Sequence, residues 1–452
     1  MSGIAELLIN LGFDVTGSDL SLSPITSRLQ SLGASCSEGH HAQHVAGAEL
    51  VVVSTAVPMD NPERVAAANL GIPIVSRGAM LAELTSLRRT VAVVGSHGKT
   101  TTTAMVAVVL EAAGLDPTAV IGGRLSTFGS NARLGRSDFM VVEGDESDRS
   151  FLELEPEIAI LTNIDDEHLE AYDGIADLEA AFLEFAQRSA KRGCVVACGD
   201  DPRLRRVISQ VEGRVVTYGI DDESAHVRAL DIQLEPTRSR FSARVSGDRL
   251  DPDVFDVSVA SPGRHNVENA LAAVAVGTEL QVPRDTLALA LAGFSGADRR
   301  FQVCGEVDGV VVIDDYAHHP TEIAAVLTTA RLRTTGRLRV IFQPHRYSRT
   351  LRLLERFGEA LAASDELFLT DVYAASETPI PGATADAMAQ AVARFGSVPV
   401  RRVNTLDDAV EAVTRDAEPG DVVVTLGAGS IGTVPSRIVD TLRARRPRRT
   451  VR

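Results

Sequence analysis

At 452 residues the chain exceeds one ordinary hydrophobic core, and 44% apolar with 23% charged residues describes a soluble globular protein of two or three domains. A net charge of −16 excludes non-specific nucleic-acid binding. No apolar run is long enough to span a bilayer and no charged-then-apolar leader opens the chain, so a cytoplasmic protein without a membrane partner is expected.

The first segment, residues 1–87, opens on a helical pattern, Ile4, Leu7, Leu8 and Leu11, which Gly12 ends. Phe13 to Gly17 reads as a short strand delivering Ser18 and Asp19. Leu50 to Val53 reads as a second strand ending at Ser54, and Ile72 to Val75 as a third. Strands alternating with helical stretches predict a parallel sheet with crossover helices. The chain starts on a helix, as if a first strand and its turn were lacking. His40, His41 and His44 resemble a metal cluster, but no further ligand is evident nearby and a polar loop is the expectation. Cys36, Cys194, Cys198 and Cys304 read as reduced thiols rather than zinc ligands, because Cys194 and Cys198 lack a second pair.

The second segment, residues 88–300, begins with the apolar strand Thr90 to Val94. Gly95-Ser96-His97-Gly98-Lys99-Thr100-Thr101 follows and opens a helix. Glycines let the backbone turn, and N–H groups at the helix start face an anion. Lys99 is expected to reach the β/γ-phosphates of ATP, with a threonine hydroxyl beside it on Mg²⁺. The general phosphate-loop pattern carries a further glycine upstream, where this chain has Val93, so the loop is a shortened form. Lys99 and Lys191 are the two lysines among 45 basic residues. Arginine has taken nearly every position that merely needs charge, so Lys99 is expected to do what a forked guanidinium does not.

Glu143-Gly144-Asp145-Glu146-Ser147-Asp148 crowds four carboxylates at the end of the apolar strand Phe139 to Val142. Ligands of open α/β sheets lie at carboxyl ends of strands, and a bound cation relieves such repulsion, so Glu143 is a candidate Mg²⁺ ligand. Asn163-Ile164-Asp165-Asp166-Glu167-His168 repeats the arrangement after Ile158 to Leu161 and offers His168 as a second ligand. Residues 214–258 carry short alternating stretches and predict a small antiparallel insert. A helix over about 267–280 places Asn266 and Asn269 on one face, where amides suit an adenine edge; capping is the plainer role for Asn266.

The third segment, residues 301–452, holds strands at Val310 to Ile313, Leu338 to Phe342, Glu366 to Leu369 and Val422 to Leu426, separated by Ala-rich helices. Its candidate functional residues, together with Arg300 just upstream, are Asp314, His318, His345, Arg346 and Arg349; the last two could clamp a carboxylate or phosphate. Gly427 to Gly432 fits a dinucleotide fingerprint, but the chain ends about one helix later, without the second strand and acidic ribose partner that NAD binding needs.

In this order the motifs resemble the Mur ligase family over nearly the whole chain. The resemblance implies an α/β fold of three domains: an N-terminal Rossmann-like UDP-sugar domain lacking its first strand, a central P-loop ATPase-type parallel sheet with a small antiparallel insert, and a C-terminal Rossmann-like amino-acid domain. It implies that the carboxylate of UDP-N-acetylmuramate is phosphorylated by ATP and then attacked by the amine of L-alanine. Thr100 and Glu143 would hold one Mg²⁺ and His168 a second, Asn269 would contact adenine, and Arg346 and Arg349 would hold the alanine carboxylate. Lys99 and the arginines would answer the charge that develops on phosphoryl oxygens. His345 or a nearby carboxylate would take the amine proton. Candidate nucleotide contacts are Gly95, Ser96, His97, Gly98, Lys99, Thr100, Thr101, Asn269, Asp314 and His318; candidate substrate contacts are Asp19 and Ser54; Arg300 joins Lys99 and His345 as a catalytic candidate. A monomer or weak homodimer is expected. The family carries a strand and glycine-rich turn upstream of Met1-Ser2-Gly3, and a late start codon is the expected reason for its lack here. Where related ligases carry a carbamylated lysine this chain has Leu183, which fits the alanine-adding branch. The nearest alternative is the recycling branch, which attaches an intact tripeptide to the same sugar.

Overall fold

Continuous apolar runs such as Val91–Val94, Ile158–Leu161 and Cys194–Cys198 demand burial on both faces, and helices supply the cover. In the computed structural model, which describes residues 1–54, 56–125, 130–167, 169–246 and 253–445 (side chains of 123–125 and 130–131 excepted), these runs are central strands. From one edge the large sheet runs Asp253–Val259, Ser239–Val245, Val227–Leu234, Arg214–Gly219, Cys194–Cys198, Ile158–Leu161, Arg89–Val94, Phe139–Glu143, Thr118–Leu125 and Ser130–Arg133. Arg89–Val94 pairs in parallel with both neighbours, Val93 lying opposite Glu143 and Val94 opposite Leu161. That register brings three loops, after Val94, Glu143 and Leu161, to one carboxyl edge.

The stretch expected as a small antiparallel insert joins the edge of this sheet. Arg214–Gly219 runs parallel to Cys194–Cys198, and Tyr218–Gly219 pairs in parallel with Val227–Arg228. Alternating burial along Val227–Leu234 marks a strand covered on one face. Such a pattern says nothing about which sheet the strand joins.

The described residues form two compact units, one of Met1–Asp231, Phe241–Val257 and Glu268–Ser295, the other of Ile232–Arg240, Ser258–Val267 and Gly296–Arg452. In the first unit the N-terminal segment carries the helix Ser2–Asn10, ended by Gly12 at φ 91°. Its strands form two parallel pairs, Thr16–Asp19 with Ser35–Glu38 and Val51–Val53 with Ile74–Ser76. The first strand begins later than its apolar residues predict, and Phe13 is exposed.

The second unit holds a six-stranded sheet in the order Gln302–Val307, Val310–Asp315, Val422–Leu426, Leu338–Phe342, Glu366–Leu369 and Val400–Arg402. Its first pair is antiparallel and the others parallel. Alternate residues serve opposite faces: Val340, Phe342, Leu367 and Leu369 pack in one core, Ile341, Phe368 and Val423 in the other. No described helix is long and apolar enough to cross a membrane.

Candidate active site

The glycines of the phosphate loop are where chain geometry needs them. Gly95 has φ 147° and Gly98 φ 81°, and the helix Lys99–Ala112 starts directly after. A Cβ on Gly95 would lie 1.9 Å from Thr162 Oγ1, and one on Gly98 2.6 Å from Asn269 Oδ1. Glycine therefore serves both the turn and the close approach of neighbouring elements. The helix N-terminus supplies the N–H groups of an anion site.

Lys99 donates to the carbonyls of Gly95 at 2.6 Å and Ser96 at 3.1 Å, and to Glu146 at 2.9 Å. Burial works against its charge, but the carboxylates of Glu146 and Glu143 outweigh that and hold the ammonium above its usual range. Burial likewise raises the Glu146 carboxyl, against the pull of Lys99. Thr100 Oγ1 lies 3.1 and 3.0 Å from the two oxygens of Glu143, which also accepts the Gly122 N–H at 2.7 Å. Thr100, in the first turn of its helix, and Glu143, at a strand end, lie side by side, and their hard oxygen donors suit Mg²⁺. Thr101 is buried in the same first turn.

The acidic stretch after Leu161 has a role that its composition hid. Thr162 Oγ1 donates to the His97 carbonyl at 2.7 Å, and Asn163 Oδ1 accepts the His97 N–H at 2.8 Å. Ser96 Oγ accepts the Asp165 N–H at 2.8 Å, and His97 Nε2 lies 3.0 Å from Asp165 Oδ2. The segment braces the phosphate loop from the side. His168 lies outside the described residues. Asn269 accepts Thr102 Oγ1 at 3.1 Å, beside Gly98, whereas Asn266 donates to the Pro262 carbonyl at 2.8 Å, as a local capping residue does. Phe182 and Phe185, flanking Leu183, pack on Phe151 at 5.3 Å each, so apolar packing occupies that part of the helix.

In the N-terminal segment Ser18 donates to Glu63 at 2.7 Å and lies 2.9 Å from His40 Nδ1; His44 Nδ1 reaches the other Glu63 oxygen at 2.7 Å. The three-histidine motif is thus a polar loop tied to one carboxylate. Asp19 is exposed at the end of its strand and accepts the Leu20 N–H at 2.7 Å; Ser54 directly follows the strand Val51–Val53 and accepts the Ala56 N–H at 3.3 Å.

Strand ends of the second unit gather the remaining candidates. Arg299 bonds Asp314 at 2.9 Å and the Gly427 carbonyl at 2.6 Å, and Thr425 Oγ1 donates to Asp314 at 2.7 Å. Asp314, predicted as a nucleotide contact, is nearly buried in this pairing. Gly427, the first glycine of the run Gly427 to Gly432, supplies the carbonyl that anchors Arg299. Arg300 lies 3.7 Å from Glu322, with its guanidinium 5.3 Å from the Tyr316 ring. Burial pushes Asp315 up to about 6, despite Arg300 and the N–H groups of Phe301 and Ala317.

His318 Nδ1 meets the Tyr316 carbonyl at 3.1 Å, and its ring stands edge-on to His345 at 5.9 Å. His345 stacks on Tyr373, rings 5.5 Å apart and 10° from parallel, and Arg349 Nη1 lies 3.5 Å from its Nδ1. Burial, then His318, Arg349 and Arg346, lower His345 from 6.5 to about 4. Arg346 holds φ 68° and its N–H donates to the Tyr373 carbonyl at 2.9 Å. Tyr373 was not among the predicted residues; it follows a strand by only a few positions, and that position was its one signal.

Family models match the chain in three blocks: Mur ligase family, catalytic domain, over residues 1–89; Mur ligase middle domain over 93–277; and Mur ligase, glutamate ligase domain, over 299–429. The chain belongs to the Mur ligase family. A UDP-N-acetylmuramate–L-alanine ligase of Solibacter usitatus is 49% identical over 444 residues, covering 98% of this chain and 93% of that protein. Among solved structures, a UDP-N-acetylmuramate–alanine ligase of Thermotoga maritima has a TM-score of 0.83 at 28% identity, over 98% of this chain and 96% of that one. A murein peptide ligase of Psychrobacter arcticus has a TM-score of 0.73 at 25% identity, over the same shares, 98% and 96%. Mur ligases use ATP, in keeping with the phosphate loop read from the sequence.

Proposed function

We propose that this Mur ligase joins L-alanine to the carboxylate of UDP-N-acetylmuramate with conversion of ATP to ADP and phosphate, a step of peptidoglycan precursor synthesis. A carboxylate is too poor an electrophile for an amine. Phosphorylation of one carboxylate oxygen by the γ-phosphoryl group leaves ADP and an acyl phosphate. The alanine amine then attacks the acyl carbon, phosphate departs, and the nitrogen loses its proton to the departing phosphate or to water as the amide forms.

The chain's own residues divide this work. The N–H groups after Gly95 and the Lys99 ammonium receive the phosphates. Thr100 and Glu143 would hold Mg²⁺, which neutralises charge on the phosphoryl oxygens. Arg346 and Arg349 offer two guanidinium forks for the alanine carboxylate, and Asn269 an amide for adenine. His345, neutral at pH 7, accepts a hydrogen bond from the amine but holds a proton weakly, so it orients the nucleophile rather than storing the proton. Arg300 is assigned to charge stabilisation in the second unit. Asp19 and Ser54 are assigned to the sugar nucleotide, and Asp314 and His318 to the nucleotide through Arg299 and Tyr316. We assign the protein to the cytoplasm, where ATP and UDP-sugars are made, as a monomer or weak homodimer.

The observation that carries the substrate assignment is the near-full-length likeness, at 49% identity, to a protein named for alanine addition. Purified protein with UDP-N-acetylmuramate, ATP and Mg²⁺ should release phosphate faster with L-alanine than with L-alanyl-γ-D-glutamyl-diaminopimelate. Faster release with the tripeptide would overturn the assignment.

A further inference from the structure

All three donors of the phosphate-loop lysine have partners within the chain. An ammonium has three N–H donors, and those of Lys99 meet the Gly95 carbonyl, the Ser96 carbonyl and Glu146 at 2.6, 3.1 and 2.9 Å. A phosphate oxygen that takes one of them must displace a partner. The two carbonyls belong to the loop backbone and move only if the turn unwinds. Glu146 is a side-chain anion, as the ligand is, and a phosphate oxygen can replace it one for one.

Glu146 is also held in position. It is 1% exposed, and its backbone carbonyl accepts the Tyr172 hydroxyl at 2.6 Å. The Arg149 guanidinium lies 4.8 Å from the Tyr172 ring and pairs with Asp177 at 2.7 Å. On the other side Asp145 accepts both the N–H and the hydroxyl of Ser147, at 3.0 and 2.6 Å. A surface acid that happened to meet a lysine would lack such a frame.

We propose that Glu146 is a positioning residue for Lys99, an internal stand-in for the nucleotide phosphate that holds the ammonium at the loop and yields it when nucleotide binds. This rests on the reading of the loop as the ATP site. Two effects of opposite sign follow. As a competitor Glu146 weakens nucleotide binding; as a guide it places the ammonium for phosphoryl transfer. Removing its charge should tighten binding and slow turnover together, whereas loss of a merely structural residue loosens binding.

The test uses calorimetric titration with ADP and steady-state kinetics on the full chain, with thermal unfolding to confirm folding. Glu146→Gln should lower the ADP Kd several-fold and lower kcat by at least about tenfold. In a Lys99→Ala background the same change should leave Kd unaltered, since its effect passes through the ammonium. Glu146→Asp, which withdraws the carboxylate by one methylene, should shift both quantities in the same directions by less, and decides the matter if Glu146→Gln does not fold. Failure of the unsubstituted chain to bind ADP would overturn the loop reading itself. Binding by that chain, with equal or weaker affinity in the Glu146 variants or a shift that persists without Lys99, would overturn the role of Glu146 alone.

Discussion

Lys99 is one of two lysines in a chain that otherwise uses arginine, and its surroundings give the reason. Its Nζ sits 2.6 and 3.1 Å from two loop carbonyls that converge on a single point. A compact ammonium fits there; a planar guanidinium with spread donors does not. Lys99→Arg should therefore lower kcat at least about tenfold, or about 1.4 kcal/mol of transition-state stabilisation, in a phosphate-release assay. Unchanged turnover would mean that only charge is needed. His345 makes a second prediction at this scale. Its pKa falls from 6.5 to about 4 in the fold, chiefly through burial, with His318, Arg349 and Arg346 adding to the effect and Glu377 opposing it. Between those values the unfolded chain binds a proton that the native state does not, so the contribution is complete above pH 6.5 and lost as pH falls toward 4. Urea unfolding at pH 7.5 and 4.5 should show the native chain losing more stability than His345→Asn over that interval. Equal losses would contradict the shift.

At the scale of elements, the phosphate loop is shaped as much by its neighbours as by its own residues. Glycine at 95 and 98 could be read from the sequence as a turn signal. The brace at Thr162, Asn163 and Asp165 could not, because hydrogen bonds between segments 65 to 69 residues apart depend on which strands become neighbours. The acidic run after Leu161 therefore read as ligands alone. Gly95→Ala tests the close approach. Its Cβ would sit 1.9 Å from Thr162 Oγ1, at a φ of 147° that L-residues rarely adopt. A loss of about 1–3 kcal/mol in urea unfolding is expected, with weakened ADP binding. Gly17→Ala, whose Cβ would have nothing within 4 Å, serves as the control. If the two substitutions behave alike, the approach to Thr162 does not constrain the loop.

On the scale of the whole molecule, each unit carries its own core and its own polar commitments. The second unit buries an arginine completely: Arg339 donates to Glu366 at 2.8 Å and to the Val413 carbonyl at 2.6 Å, and Arg401 pairs with the same carboxylate at 2.8 Å. The Arg339 guanidinium also lies 5.4 Å from the Phe368 ring. Removing the carboxylate leaves the buried guanidinium with only the more distant Asp421, at 4.0 Å, so Glu366→Ala should destabilise that unit by about 3 kcal/mol. Urea unfolding followed by helical circular dichroism should show the variant's stability lowered by that amount, and Glu366→Asp, which keeps the charge, lowered less. Stability equal to that of the unsubstituted chain would show that Arg339 does not depend on this carboxylate.

The sequence by itself determined the α/β class, the ends of most central strands, the phosphate loop and the family. Each of these is written in short-range patterns: apolar runs long enough to need two covered faces, and glycines where a strand turns into a helix. Only the tertiary structure decided that residues 214–258 extend the large sheet, since one-faced alternation is the same in any sheet. It alone stacked Tyr373 on His345 and seated Lys99 on Glu146. Those contacts join residues far apart in the chain, and strand order and register, which local sequence does not encode, bring them together. The phosphate loop was thus legible from the start as a place for an anion. That its lysine pairs with one of the protein's own carboxylates, Glu146, became visible only in three dimensions.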